Sequence, residues 1–172
     1  VLSEKKISIS IIVFLWLLVA ACGYQFANRG NFPSDIKSIS IVMFENRTSE
    51  TGIEQIITNA IDYEITRSSN LALMDSHKAD AVLSGVVESL GIETISYRRV
   101  YSAIERRVRL TVSLRLTDRE GKVIWSARRI SGNQAYNVSP DKKRTEQNRR
   151  NAISVISRRL AETVYDRLTG RF

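Results

Sequence analysis

Residues 107 to 117 alternate with almost no fault: Val108, Leu110, Val112, Leu114 and Leu116 are apolar, while Arg109, Thr111, Ser113 and Arg115 between them are polar. Successive side chains of a strand point to opposite faces, so this period predicts a strand with one face in a core and the other in water. Such a strand needs an apolar cover. Two stretches have the spacing to supply it. Ile53, Ile56, Ile57, Ala60, Ile61 and Ile65 recur at helical intervals, and so do Ile153, Ile156, Leu160, Val164 and Leu168, with Ala152 alongside. Each set lays one apolar stripe along a helix.

The remaining segments fill in the order. Residues 36 to 44 read as a first strand, with Ile39, Ile41 and Met43 on one row. Thr51 stands three residues before Glu54, a capping-box spacing at the start of the first helix. Leu71 to Met74 is a short strand, and Ala81 to Val87 reads as a strand covered on both faces. That strand continues to Tyr97, with Gly91 marking a bulge or bend. Asp118 to Gly121 is a tight turn, and the last strand follows with Val123, Trp125 and Ala127 as its inner row. Ser139-Pro140 opens the second helix, with proline at its first position. Strand, helix, short strand, long hairpin, strand, helix pack most simply as an α+β domain. Its core is a mixed four- to five-stranded sheet with two long amphipathic helices on one face.

The apolar residues also form a block at the N-terminus. Lys5 and Lys6 precede an apolar run from Ile7 to Ala21 that is interrupted only by Ser8 and Ser10. About 15 residues are short for a bilayer span, which needs roughly 20. A basic start, an apolar middle and a small-residue end describe a signal peptide. It ends Ala20-Ala21-Cys22-Gly23, the pattern cut by the lipoprotein signal peptidase, with the Cys22 thiol as the acceptor of the diacylglycerol. The expected organisation is a leader at 1–21, a lipidated tether at 22–35 and one domain at 36–172. Two or three acyl chains hold where a single chain dissociates. Gly23, not Asp, follows the cysteine, which points to the periplasmic side of the outer membrane.

Without Glu4, Lys5 and Lys6, the 26 basic and 18 acidic side chains become 24 and 17. A basic surface outside the cytoplasm meets no nucleic acid. Its partners are lipid headgroups, lipopolysaccharide phosphates or acidic protein surfaces. Cys22 is the sole cysteine, so no disulfide and no cysteine metal cluster can form within the chain. His77 is the sole histidine and sits in a polar turn, and no catalytic motif surrounds it. The reading is therefore a non-enzyme with no catalytic residue, metal site or cofactor.

Two groups of cations stand out. Arg98, Arg99, Arg106 and Arg107 crowd a hairpin tip and are interleaved with Val100, Tyr101, Ala103 and Ile104. Guanidinium groups grip phosphate bidentately, and the apolar neighbours could touch acyl chains or a barrel wall. The competing reading is a solvated loop. Lys142, Lys143, Arg144, Arg149 and Arg150 form the second group, on the polar half of the second helix, where an exposed charged face is the simpler account.

Several short motifs resemble the LptE family of lipopolysaccharide-assembly lipoproteins. They are Cys22-Gly23-Tyr24-Gln25-Phe26 after the cleavage site, Pro33 before the first strand, Phe44-Glu45-Asn46-Arg47-Thr48, and Ala79-Asp80-Ala81-Val82-Leu83-Ser84-Gly85. The resemblance runs from Cys22 to Leu168. It implies two helices packed on a mixed sheet and an LptD-like outer-membrane β-barrel as partner. It also implies a task without covalent chemistry: plugging and supporting that barrel and aiding lipopolysaccharide delivery to the outer leaflet. Two other readings remain. A lipoprotein regulator of peptidoglycan synthases would carry a long linker, whereas about 13 residues separate Cys22 from the first strand. A secretion-pore lipoprotein would need strands with an apolar outer face.

Overall fold

A computed structural model describes Phe32 and residues 36–97 and 103–170. Eight elements follow one another: β1 (Ser38–Ile41), β2 (Glu45–Asn46), α1 (Ile53–Ser68), β3 (Ala72–Leu73), β4 (Ala81–Tyr97), β5 (Ala103–Asp118), β6 (Val123–Asn137) and α2 (Lys142–Thr169). The sheet runs β3-β1-β4-β5-β6, and β2 adds to β4 beyond β1. Pairing is parallel among β1, β2, β3 and β4 and antiparallel through β4, β5 and β6. This is the expected mixed sheet. The two-residue β2 brings its strand count to six.

Both helices lie on one face and close a single core. Ile39, Leu83, Val87, Val108, Leu110 and Leu116 meet Ile57 and Ile61 of α1 and Ile156 and Leu160 of α2 there. Each of these side chains is at most 2% exposed, and each contributes about 1.5–3 kcal/mol on burial. The alternation of β5 is realised as the sequence predicts, with Val112 and Leu114 buried and Arg115 exposed. Phe32, ahead of β1, leans against Tyr165 of α2 at a ring separation of 6.4 Å. Among the described residues, no helix is long and apolar enough to cross a membrane.

Several local expectations are corrected. The capping box does not form: Gly52 precedes α1 in a left-handed conformation (φ 85°) with no side-chain cap. Glu54 is taken instead by Asn46, whose amide donates to Oε2 at 2.8 Å and to the Glu50 carbonyl at 2.9 Å. The N-cap of α2 is Asp141, which accepts from the Lys143 amide, so Pro140 lies one residue outside the helix. Strand β4 is not covered on both faces, since Val82, Ser84 and Val86 are only half-buried. Gly91 pairs in register with Arg109, and the irregularities of this pairing fall between Val87 and Ser89 and between Thr94 and Tyr97. In β6 the register shifts twice. Trp125 and Ala127 pack against the core, but Val123 pairs with Thr117 on the other face and is 51% exposed. Met43 is likewise outside the core, and Phe44 takes the buried position.

Candidate functional site

Cys22 and the leader lie outside the described residues, and so do Arg98 and Arg99. Arg106 and Arg107 are described, and they are not in the turn. Both belong to β5, opposite Thr94 and Glu93 of β4. Neighbouring residues of a strand face opposite ways. Arg106 therefore extends the helix-side row of Val108 and Leu110 and is half-buried. Arg107 joins the open face beside Arg109, which the sequence reading left out although the same period of two places it there. Arg107 lies 3.3 Å and Arg109 3.8 Å from the one Glu93 carboxylate, so two cations share a single anion.

The second group splits as well. Arg149 is a structural residue with only 16% of its side chain exposed. It donates to both Glu50 oxygens at 2.8 and 3.0 Å, tying α2 to the loop before α1. It also donates to Glu146 at 2.7 and 2.9 Å, and Arg150 adds a third bond to that carboxylate at 3.0 Å. The Arg149 bonds, supported by Arg150, hold the Glu146 carboxyl down at about 2. Lys142, Lys143 and Arg144 are exposed and form no ion pair among the described residues.

The described members of these two groups, remote in sequence, lie toward one end of the fold. The Val138 amide donates to the Ile104 carbonyl at 2.9 Å, and Glu105 and Arg106 pair with Asn137 and Tyr136. Asn148 of α2 donates to the Asn137 carbonyl at 2.9 Å, and Thr145 bonds the Ser139 amide and carbonyl at 2.9 and 3.0 Å. The first turns of α2 are thus fastened beside the end of the β5–β6 ladder that leads into the hairpin. Of the cations at this end, Arg106, Lys142, Lys143 and Arg144 form no ion pair among the described residues. Among the described residues, no group of three or more His, Cys, Asp or Glu side chains could hold a metal ion.

A family model described as LptE, lipopolysaccharide-assembly, matches residues 36–168. Among solved structures, an uncharacterised lipoprotein B from Nitrosomonas europaea superposes with a TM-score of 0.60 at 11% identity, covering 81% of this chain and 84% of that one. A minor lipoprotein from Acinetobacter baumannii gives 0.56 at 18% identity, over 80% and 94% of the two chains. The rare lipoprotein B from Shewanella oneidensis gives 0.54 at 15% identity, over 74% and 93%. At these identities the likeness is one of fold. No curated protein matches the sequence.

Proposed function

Since this chain belongs to the LptE lipopolysaccharide-assembly family, we propose that it acts as a non-enzymatic lipoprotein of the outer membrane. In this reading residues 1–21 are removed and Cys22 carries the acyl chains. Residues 22–35 tether the domain on the periplasmic side. The domain plugs and supports an LptD-like β-barrel and aids delivery of lipopolysaccharide to the outer leaflet. The observation that carries the reading is the meeting of two basic groups at one end of the fold. Arg106 on the helix side and Lys142, Lys143 and Arg144 at the start of α2 form no ion pair among the described residues and belong to that end, while Arg107 and Arg109 share the single counter-ion Glu93 on the opposite face of the sheet. A multiply phosphorylated glycolipid matches that charge. No step forms or breaks a covalent bond, because the work is binding and positioning.

The open face of the sheet argues against a bilayer-lining pore. Arg107, Arg109, Arg115 and Arg128 lie along it, and a cation on the lipid face of a strand costs about 2–4 kcal/mol at the midplane. Affinity purification of the native protein from outer membranes tests the proposal. Recovery of a large β-barrel protein in equimolar amount is expected. Recovery of a peptidoglycan synthase in its place would transfer the chain to the regulator class.

A further inference from the structure

On the open face, at the end of the sheet away from the hairpin, lies a concave depression of about 510 Å³. Arg109, the nearest cation of the basic end on this face, is six positions along β5 from Arg115, a distance of ~20 Å along the strand. The floor is built from small side chains, Ser84, Ser113 and Ser126 on three adjacent strands, which is why the sheet is hollow there. Arg115 and Arg128 stand over it.

The hydrogen bonds around this floor leave donors and not acceptors. Arg115 Nε donates to Ser84 Oγ at 3.2 Å, which fixes the guanidinium; its terminal nitrogens form no ion pair among the described residues, and the carboxylate whose charge it feels, Glu45 at the rim, is bonded to Arg47. The Arg129 amide donates to Ser113 Oγ at 3.0 Å. Both hydroxyls are thus occupied as acceptors and keep their protons to give. Arg128 is placed by a bulge at which β6 spends an extra residue opposite Ser113, and Arg129 takes a left-handed conformation (φ 53°) that non-glycine residues adopt at a cost. Arg47 is also at the rim, but Glu45 at 2.9 Å and Glu88 at 3.6 Å already hold it. Arg115 and Arg128 form no ion pair among the described residues. Beside them Met43 and Val123 are 53% and 51% exposed, an apolar margin to a polar floor.

From this geometry we infer a phosphate-ester site on the open face, distinct from the basic end, in which Arg115, Arg128 and the Ser84 and Ser113 hydroxyls bind the phosphate while Met43 and Val123 contact an attached apolar group. With Arg47 offsetting the Glu45 carboxylate, the Arg115 and Arg128 guanidinium groups match the charge of about −1.5 to −2 on a phosphate monoester better than that of a carboxylate. The volume lies within the roughly 300–1,000 Å³ of ligand sites.

Amide NMR of the mature chain tests this with two probes, inorganic phosphate and dihexanoyl phosphatidic acid below its micelle concentration. Saturable shifts centred on Ser84, Ser113 and Ser126 are expected. Arg115→Gln with Arg128→Gln should weaken both probes by about tenfold or more while the thermal melt stays unchanged, because both side chains are exposed. Tighter binding of the lipid, reduced by Met43→Ser with Val123→Ser, identifies a lipid source. Equal affinities identify a soluble phosphate ester. Shifts that do not saturate, or equal weakening by Lys142→Gln with Lys143→Gln, overturn the site. Neither probe involves a barrel, so failure here leaves the barrel-plug reading standing.

Discussion

The ring of Phe44 occupies the space that a side chain at Gly85 would need: a methyl group there would overlap three of its ring carbons. Glycine inside a strand is otherwise unfavourable, so its presence in β4 answers to this contact. Phe44 is 2% exposed, and its amide donates to Thr58 Oγ1 of α1 at 3.2 Å. The segment after β1 is thereby pinned between β4 and α1. Gly85→Ala is expected to cost about 1–3 kcal/mol through overpacking. In a Phe44→Leu background the added cost should shrink, because the clashing ring is gone. Denaturant melts of the two single variants and the double variant measure that coupling. Strict additivity would mean that the strain lies elsewhere.

Asp80 is the other fixed point of the same motif. Its Oδ2 accepts from the Ser38 hydroxyl at 2.7 Å and from the Ser38 and Lys37 amides at 2.9 and 3.0 Å, and its own amide donates back to Ser38 Oγ at 3.0 Å. Arg119 Nη2 reaches Oδ1 at 2.6 Å from the β5–β6 turn. The Ser38 hydroxyl first, then the Lys37 amide, hold the carboxyl below its ordinary range. A depressed carboxyl contributes stability above its unfolded pKa of about 3.9, and that stability is lost as pH falls through the folded value. Asp80→Ala should therefore lower the melting temperature near neutral pH by more than Arg119→Ala does. The gap between wild type and Asp80→Ala should narrow in acid. Thermal melts across pH check both outcomes, and a gap that stays constant into acid would remove the carboxylate from the account.

The sequence made the rows of β5 and the stripes of both helices legible, because burial repeats there with a fixed period over ten or more residues. It hid the bulges. Glu88, Ile124 and Arg128 look like ordinary strand residues, and a register shift depends on the partner strand, so suspicion fell on Gly91, which is regular. The capping box failed for a related reason, since Asn46 in the preceding loop competes for Glu54. At the basic end, residue type was readable but position was not. The period of two in β5 could have separated Arg106 from Arg107 and joined Arg109 to the latter. Nothing local could have shown that Arg149 belongs to Glu50, 99 residues away.

That long-range pair gives a third prediction. Arg149→Met leaves Glu50 and Glu146 without their strongest partner and should cost about 1–3 kcal/mol near neutral pH. The sign with pH follows from Glu146. Its carboxyl sits at about 2 in the folded chain, so its contribution is complete above the unfolded value of roughly 4.3 and fades as pH drops toward the folded one. Wild type should lose stability through that window more steeply than the variant. Guanidinium melts at several pH values compare the slopes, and parallel acid limbs would show that Arg150 alone maintains the shift.

The final prediction concerns the basic end and the proposed glycolipid. Arg106 is half-buried in the helix-side row and Arg107 is partly met by Glu93, so neither is the first choice for a binding test. The pairs to neutralise are Arg98→Gln with Arg99→Gln, and Lys142→Gln with Lys143→Gln. Because α2 begins beside the end of the β5–β6 ladder, both pairs are expected to weaken lipopolysaccharide binding, by about tenfold each if each forms one charge-assisted contact. Lys122→Gln with Arg158→Gln is the matched control: it removes the same charge from the β5–β6 turn and from an exposed position in the second half of α2. Surface charges are screened over about 8 Å at physiological ionic strength. Long-range attraction should therefore fade with added salt, while direct contacts at the basic end keep part of their effect. Equal losses in all three variants, all abolished by salt, would reduce the basic end to the general charge of the protein. Losses in the first two alone, with unchanged melting curves, would make one phosphate-binding surface of two groups that the sequence keeps about 40 residues apart.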